Sequence, residues 1–313
     1  MSAIDASASS AVSPAVEAHR LRKEYGDKVA VEDLSLRVER GEVFGFLGPN
    51  GAGKTTAVKM LLGLASPTAG VARLLGRPLG DPAVRARIGF LPEHFRFHEW
   101  LQATEFLDLH GQLFGMRAEQ RARRIPELLE LVGLSDAAES RLSAFSKGML
   151  QRIGLAQALL PEPELVFLDE PTSGLDPLGR RLVRDIIHRL KAAGTTVFLN
   201  SHLLSEVEVT CDRVAFIKDG RVIRSAQLGT LVDGLTEVTL RVGHVTPELL
   251  DGLRRRSTTL QADGRRITLT LQSEDDLPEL ARWVVGLGVG LYALSPQEIS
   301  LEEIFVRVVE DGA

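Results

Sequence analysis

The sequence predicts an α/β fold with a parallel sheet, followed by a small α+β domain. Between about Val16 and Ser225, short β-rich runs alternate with amphipathic stretches, which is the pattern of an α/β domain. The runs are apolar at nearly every position, as is typical of strands buried on both faces of a parallel sheet. After Ser225 the alternation restarts in a second, shorter block.

Four runs in the first block have the length and composition of buried strands. Helical patterns lie between them, and from Trp100 to Leu142 apolar residues recur at helical spacing with no strand signal. This spacing predicts a helical insertion at about residues 100–145. The predicted strands are Val43–Leu47, Leu165–Leu168, Val197–Leu199 and Val214–Ile217, and the predicted helices are Gly53–Leu64 and Leu178–Ala192.

The second block predicts an accessory α+β domain over residues 226–313. Glu237–Val242 and Arg266–Leu271 show the period of two that is typical of half-buried strands. Pro247–Arg255 and Asp275–Val285 have helical spacing. The main domain therefore extends over residues 16–225.

Composition excludes several classes of protein. The chain has 313 residues, 44% hydrophobic and 25% charged, which is a globular balance. Its formal net charge of −5 provides no large positive field to hold nucleic acid non-specifically. The single cysteine, Cys211, excludes an internal disulfide framework and a cysteine-rich zinc site, and it fits a reducing cytoplasm.

Neither a membrane span nor a secretory signal is predicted. The longest apolar stretch, Trp283–Leu294, is interrupted by glycines and is shorter than the roughly 18 residues that span a bilayer. Residues 1–15 are rich in alanine and serine but lack a basic start and a continuous apolar segment. We therefore expect a soluble chain whose first 15 residues form a disordered leader.

The strand Val43–Leu47 runs directly into a glycine-rich loop that opens a helix. The loop fits the pattern G-x-x-x-x-G-K-[ST], in which backbone N–H groups point at phosphate oxygens. Lys54 is expected to reach the β- and γ-phosphates, and Thr55 to offer its hydroxyl to Mg²⁺. The full pattern in this setting disfavours an ordinary glycine turn. The predicted phosphate-binding residues are Gly48, Pro49, Asn50, Gly51, Ala52, Gly53, Lys54, Thr55 and Thr56.

Two acidic residues follow another apolar strand. Asp169 and Glu170 come directly after Leu165–Leu168, at the strand end where ligands of open α/β sheets bind. Asp169 is predicted to help hold Mg²⁺ through water, and Glu170 to polarise the attacking water. Taken alone, two acids after a strand more often belong to a loop or a helix cap. The phosphate-binding loop in the same chain favours the catalytic interpretation.

With these two motifs in place, residues 16–225 resemble the ATP-binding subunit of ABC transporters. Phe145–Met149, which reads FSKGM, is similar to the LSGGQ signature of that family. Pro171–Asp176 matches its D-loop, and His202 matches its switch histidine. Tyr25 stands at the place of the aromatic residue that stacks on adenine. The resemblance implies an ATPase that uses ATP and Mg²⁺.

The resemblance also implies that the working form contains two ATPase chains, most simply a homodimer. In the family, two domains enclose two nucleotides, and each signature segment faces the phosphate loop of the partner. Ser146 and Gly148 are then donors to the γ-phosphate, and Lys147, where the family usually has glycine, adds a cation. Asp176 joins this nucleotide-contacting set through the D-loop, and His202 senses the γ-phosphate. An isolated histidine or tyrosine is more often structural.

One position departs from the family pattern. After Ile88–Leu91 the family's Q-loop normally presents a glutamine, whereas this chain has Glu93. A carboxylate here is able to ligate Mg²⁺ or position water, but it is repelled by phosphates unless the metal is bound. We therefore expect Glu93 to alter turnover or its coupling rather than nucleotide binding.

The function that the resemblance implies is that of the separate ATPase subunit of a transporter. No N-K-x-D motif of GTPases is found, the chain lacks the long coiled coil of SMC-like enzymes, and it has one cassette rather than the two of translation-factor relatives. The tail is similar to that of ABC-2-type exporter ATPases, with a ferredoxin-like or related domain that ends in a helix at Leu301–Val309. We therefore expect export through an integral-membrane permease, with the chain at the inner face of the membrane. No specific nucleic acid is expected.

Two alternatives remain open at this point. One is a soluble ABC ATPase that remodels a nucleic-acid or ribosomal partner. The other concerns the aromatic residues Phe95, Phe97 and Trp100, which either form a surface for the permease or pack under the helical insertion.

Overall fold

The computed structural model describes residues 13–232, 236–271, 273–297 and 300–311. It divides into two compact units, residues 1–225 and 226–313. Residues 1–12 of the predicted leader lie outside the described residues. Ala15, the last residue of that segment, is buried, and its backbone hydrogen-bonds to Val38 and Leu75. The last residue of the predicted disordered leader is therefore already bound to the sheet.

The first unit is built on one ten-stranded sheet with helices packed around it. The strand order is β5-β4-β1-β2-β10-β9-β3-β8-β7-β6. The strands are β1 Val16–Tyr25, β2 Lys28–Val38, β3 Val43–Leu47, β4 Ala69–Leu74, β5 Arg77–Pro78, β6 Ile88–Leu91, β7 Leu165–Asp169, β8 Thr196–Asn200, β9 Arg213–Lys218 and β10 Arg221–Gln227. The helices are α1 Lys54–Leu61, α2 Pro82–Arg85, α3 Ala103–Leu113, α4 Ala118–Leu131, α5 Lys147–Leu159, α6 Pro177–Ala192 and α7 Leu204–Thr210.

The four predicted strands form the parallel core of this sheet. β9, β3, β8, β7 and β6 pair in parallel, and every residue of β3, β7 and β8 is buried. The ring of Phe198 lies 5.5 Å from Phe44, 5.5 Å from Phe46 and 5.0 Å from Phe167. This aromatic cluster joins three adjacent strands, and the parallel pairing of these strands places their carboxyl ends at one edge of the sheet.

The antiparallel part of the sheet was not predicted. β1 pairs antiparallel with both β2 and β4, and β4 pairs with β5. Register shifts interrupt the β1–β2 pairing between Ala18 and Glu24, so the period of two that marks a half-buried strand is broken in the sequence. The fold is therefore a mixed α/β sheet rather than a purely parallel one.

The helical insertion is present as α3 and α4. Its packing decides between the two interpretations of the aromatic residues. Phe95 and Phe97 lie 6.2 and 5.7 Å from the buried ring of Phe106 in α3, so both pack under the insertion. Trp100 is 69% exposed. Of the three rings predicted as a docking surface, that of Trp100 is exposed and those of Phe95 and Phe97 are half-buried.

An acidic side chain joins two arginines where the parallel strands begin. Glu164 precedes β7, and its carboxylate lies 2.5 Å from Arg87 and 3.0 Å from Arg40. The hydrogen bond from Arg87 is the main cause that lowers the pKa of Glu164 below its ordinary value of 4.5. A carboxyl whose pKa is lowered by folding stabilises the fold above its unfolded pKa, and it loses this effect as the pH falls through the folded pKa.

Glu164→Gln is therefore expected to lower the melting temperature of the first unit by about 2 °C near pH 7, since an exposed ion pair contributes roughly 0.5–1 kcal/mol. The difference should shrink as the pH falls below 4.5, where the carboxyl becomes protonated in the unfolded chain and then in the folded one. Calorimetry between pH 3 and 7 measures this difference in melting temperature. Glu139→Gln, at an exposed acid, is the control. A difference that is independent of pH would contradict this assignment.

The second unit contains a four-stranded antiparallel sheet in the order β12-β13-β11-β14. The chain order β-α-β-β-α-β together with this strand order is the ferredoxin-like arrangement. β12 and β14 were not predicted. The elements are α8 Leu228–Val232, β11 Thr236–Val242, α9 Pro247–Arg256, β12 Leu260–Asp263, β13 Arg266–Leu271, α10 Leu277–Gly286, β14 Leu291–Gln297 and α11 Leu301–Asp311.

This unit has its own apolar core. Val238 and Leu240 of β11 and Ile267 of β13 are fully buried and belong to one cluster, which also contains Leu253 and Val284 of α9 and α10. Within the described ranges, no helix has both the length and the apolar character that crossing a membrane requires.

Candidate functional site

The predicted phosphate loop lies between the end of β3 and the start of α1. Gly51 and Gly53 have positive φ values of 83° and 101°, which favour glycine. A Cβ atom on Gly53 would lie 2.5 Å from the carbonyl oxygen of Ala30, and one on Gly48 would lie 2.3 Å from that of Ile217. The loop therefore needs glycine at these positions both for its backbone conformation and for its close packing against β2 and β9.

Lys54 begins α1 and turns back over the loop. Its Nζ donates to the carbonyl oxygens of Gly48, at 2.5 Å, and Pro49, at 3.2 Å. Burial lowers the pKa of Lys54, whereas Glu170, Asp169 and Glu93 raise it. The ammonium group is thus a partly buried cation among carboxylates, with only main-chain oxygens as its hydrogen-bond partners in the described structure.

Asp169 is the last residue of β7 and is 4% exposed. The Nδ2 of Asn200 donates to its Oδ1 at 2.5 Å, and β7 and β8 pair in a register that sets these two residues side by side. Burial is the main cause that raises the pKa of Asp169, and the hydrogen bond from Asn200 opposes it.

Glu170 adopts a positive φ of 51°, an uncommon conformation for a non-glycine residue. Its N–H donates to the carbonyl oxygen of Asn200 at 2.8 Å, and its Oε2 lies 2.7 Å from Nδ1 of His202. The side chain of Glu170 is buried, while that of His202 is 59% exposed. Burial raises the pKa of Glu170 and the hydrogen bond from His202 lowers it. The side chains of Glu170 and His202 therefore form a close pair.

A cavity of about 480 Å³ joins the phosphate loop to this pair. Glu93 also lines it, so the structure brings Lys54, Glu170 and His202 together with the Q-loop position and most of the loop. The lining residues are Lys28, Val29, Ala30, Pro49, Asn50, Gly51, Gly53, Lys54, Thr55, Thr56, Glu93, Glu170, Asn200 and His202.

Tyr25 does not line this cavity in the described structure. It is 51% exposed at the end of β1, opposite Lys28 in the β1–β2 hairpin, and the Nζ of Lys23 lies 4.8 Å from its ring centroid. The neighbouring hairpin residues Lys28 and Val29 do line the cavity. The adenine-stacking role of Tyr25 stays a prediction.

Thr55, Glu93 and Asp169 all line a smaller pocket of about 210 Å³. The three side chains offer hydroxyl and carboxylate oxygens, which are the donors that Mg²⁺ prefers. Asp169 contributes a buried carboxylate whose pKa is raised by burial and by the charge of Glu93. A cation at this place would relieve both effects, so the residues fit the metal that the sequence predicts.

The predicted signature and D-loop residues line a separate cavity of about 500 Å³. Ser146 caps α5 by accepting the N–H of Met149 at 3.2 Å, and Asp176 caps α6 by accepting that of Gly179 at 2.7 Å. Gly148 lines the same cavity, and the side chain of Lys147 passes over Gly174, where a Cβ would lie 2.6 Å from its Cε. Among the described residues, the two cavities share no lining residue.

Two residues near the acids were missed. Asn200 ends the apolar strand β8 just as Asp169 ends β7, so the same signal, a polar residue at the end of an apolar run, identifies it. Gln151 in α5 donates from Nε2 to the carbonyl oxygen of Glu170 at 3.2 Å. No sequence signal singled out Gln151, because the contact depends on how α5 packs on the sheet.

Comparisons with known proteins agree with this geometry. A family model described as ABC transporter matches residues 31–173. An uncharacterized ABC transporter ATP-binding protein of Nostoc sp. is 54% identical over 206 residues, which cover 65% of this chain and 62% of that protein. The Nod factor export ATP-binding protein I of Cupriavidus metallidurans is 36% identical over 297 residues, which cover 94% of this chain and 96% of that protein.

A solved structure is similar to part of this chain. It is a dimeric, post-hydrolysis state of the ATP-binding cassette MJ0796 bound to ADP and phosphate. It aligns with a TM-score of 0.63 and 26% identity, and the alignment covers 68% of this chain and 98% of that one.

Proposed function

Because this chain belongs to the ABC transporter family as an ATP-binding subunit, we propose that two copies of it hydrolyse Mg-ATP and thereby drive export through a separate membrane permease. The observation that carries the proposal is the division of the predicted nucleotide contacts between two cavities. One holds the phosphate loop with Glu170 and His202, and the other holds Ser146 and Gly148. A second copy supplies the missing half to each nucleotide.

The phosphate-loop cavity has the chemistry for a triphosphate. The loop's N–H groups at the start of α1 and the ammonium of Lys54 provide positive charge for the phosphates. Lys54 exchanges its bonds to Gly48 and Pro49 for bonds to phosphate oxygens. Thr55 and Asp169, with Glu93 beside them, would hold the Mg²⁺, which would supply charge neutralisation for the phosphates.

Glu170 and His202 carry the chemistry of hydrolysis. Glu170 is buried and ionisable beside the cavity, so it accepts a hydrogen bond from the attacking water and polarises it. His202 holds the Glu170 carboxylate at 2.7 Å and is exposed enough to turn toward a γ-phosphate. When the γ-phosphate is lost, His202 returns to Glu170. The two copies of the chain then separate.

ATP is able to do mechanical work only if it binds the closed dimer more tightly than the open one. Ser146 and the N–H groups at the start of α5 supply this difference, since they reach the γ-phosphate of the nucleotide on the partner only in the closed form. The homology to a solved dimeric cassette that is bound to ADP and phosphate supports this arrangement.

Export and the permease are supported by relatives rather than by geometry. The Cupriavidus metallidurans relative is named for Nod factor export, and its similarity extends over both units of this chain. Trp100, exposed beside the helical insertion, offers an apolar contact for a membrane partner. The partner holds the chain at the inner face of the membrane.

A tagged chain expressed in its own host and purified from detergent-solubilised membranes tests this proposal. We expect one polytopic membrane protein to copurify and Trp100→Ala to weaken its capture, while the ATPase activity of the isolated chain stays unchanged. RNA or ribosomal proteins in place of a membrane protein would contradict the transporter function.

Glu93→Gln is expected to leave ATP affinity within about twofold and to change turnover about fivefold. The substitution removes one negative charge beside Asp169 and Lys54, and a unit charge at this distance from the transferred phosphate is worth on the order of 1 kcal/mol. Fluorescent-nucleotide binding and phosphate release measure the two effects. Glu99→Gln, an exposed acid in the same segment, is the control. Unchanged turnover in Glu93→Gln would remove this residue from the mechanism.

A further inference from the structure

A buried asparagine lies between the two acidic residues. Asn200 is 3% exposed at the end of β8, and its Nδ2 donates to Oδ1 of Asp169 at 2.5 Å. Its main-chain carbonyl oxygen accepts the N–H of Glu170 at 2.8 Å, a bond that does not depend on the side chain. The side chain of Asn200 therefore contacts the carboxylate of Asp169, while its backbone pairs with that of Glu170.

The other end of the Asn200 amide has no such partner. A carboxylate oxygen accepts hydrogen bonds only, so the contact with Asp169 sets the amide with Nδ2 toward the acid and Oδ1 away from it. This Oδ1 is buried and has no hydrogen-bond partner among the described residues. Asn200 also lines the cavity that contains Lys54, Glu170 and His202. A buried acceptor beside a polar cavity is suited to a donor such as water.

We propose that Asn200 is a positioning residue for ATP hydrolysis, because it orients the Asp169 carboxylate toward the cation position beside Thr55 and accepts a hydrogen bond from a water molecule in the cavity. The proposal rests on the ATPase function proposed above. Hydrogen-bond partners of metal-binding carboxylates commonly govern affinity for the metal without touching it. The predicted effect of losing Asn200 is therefore on the response to Mg²⁺ more than on the response to the nucleotide.

The opposite end of the same strand provides a matched control. Thr196 begins β8, is 1% exposed and accepts one hydrogen bond, from the N–H of Gly41 at 2.9 Å. It lines neither the cavity nor the smaller pocket beside Asp169. Thr196→Val and Asn200→Leu both replace a buried polar side chain of β8 by an apolar one of similar shape, but only the second touches Asp169.

The experiment titrates Mg²⁺ against wild type, Asn200→Leu and Thr196→Val. Fluorescent-ATP binding is measured in EDTA and at increasing Mg²⁺, and phosphate release is measured over the same range. For Asn200→Leu we expect the Mg²⁺ concentration at half-maximal response to rise about tenfold or more, with binding in EDTA within about twofold of wild type. Thr196→Val should match the wild type both in ATP binding in EDTA and in the Mg²⁺ concentration at half-maximal response. The serine of Asn200→Ser is too short to reach Asp169, so this variant should show the same rise in the Mg²⁺ concentration at half-maximal response. It replaces Asn200→Leu in the experiment if the leucine variant does not fold.

Two results overturn the proposal in distinguishable ways. A wild type that neither binds nor hydrolyses ATP overturns the proposed function and this inference together. An active wild type with equal Mg²⁺ responses in Asn200→Leu and Thr196→Val overturns this inference alone.

Discussion

Replacing Glu170 by glutamine is expected to lower ATP turnover at least about 100-fold while nucleotide binding persists. The amide keeps the size of the side chain and its contact with His202, which lies 2.7 Å away, but it does not take up a proton from the attacking water. Nucleotide should accumulate as ATP rather than ADP. Phosphate release, together with chromatography of the nucleotide that remains bound, measures both effects.

Glu139→Gln is the control for this change, because Glu139 is an exposed acid in the region of the helical insertion and lines neither nucleotide cavity. Its turnover should equal that of the wild type. Near-normal hydrolysis in Glu170→Gln would mean that another group polarises the water, and the role given to Glu170 would be wrong.

Replacing Lys54 by alanine is expected to weaken nucleotide binding about 10- to 100-fold. The reason is that a hydrogen bond between charged groups contributes roughly 1.5–3 kcal/mol, and each 1.4 kcal/mol is a factor of ten. The loss should be larger for ATP than for adenosine, since Lys54 lies over the phosphate loop rather than beside Tyr25. Titration with fluorescent ATP and competition by adenosine measure the difference.

Lys59, an exposed lysine in the last turn of the same helix α1, provides the matched control. Lys59→Ala removes the same charge and the same side-chain length from α1. Because Lys59 lines the smaller pocket beside Asp169 but not the phosphate-loop cavity, this variant should bind ATP in EDTA as the wild type does. Equal losses in the two variants would show that the general charge of the helix, and not a contact of Lys54, holds the nucleotide.

The elements that were predicted correctly are those whose signal is local. The strand Val43–Leu47 and the loop that follows it combine an uninterrupted apolar run with a fixed pattern of glycines, lysine and threonine. The acids of Asp169 and Glu170 are found in the same way, since each parallel strand places its last residue at one edge of the sheet.

What the sequence did not predict depends on pairing across the fold. β1 and β2 escape detection because register shifts break their alternation. Asn200 carries the same local signal as Asp169, but only the pairing of β8 with β7 shows that its side chain contacts the Asp169 carboxylate. Phe95 and Trp100 are both large and apolar, so the sequence does not distinguish them. The structure shows that Phe95 packs against Phe106 of α3 and that Trp100 is exposed.

The separation of the nucleotide contacts into two cavities is the arrangement that the family resemblance implies. Ser146 and Lys54 are predicted to act on one nucleotide from two different chains, and within one chain they line different cavities. Within its own chain, Ser146 caps the start of α5 by accepting the N–H of Met149. Only a second copy gives its hydroxyl and the start of α5 a phosphate to bind.

Light scattering of Glu170→Gln with Mg-ATP, with and without the additional change Ser146→Arg, tests this two-chain site most directly. We expect Glu170→Gln to have twice the 34.1 kDa mass of one chain when ATP is bound. The double variant should stay at 34.1 kDa while still binding one ATP per chain, because the arginine blocks the signature cavity and leaves the phosphate loop intact. Dimers that form equally well in both variants, or a wild type that hydrolyses ATP as a monomer, would contradict the account.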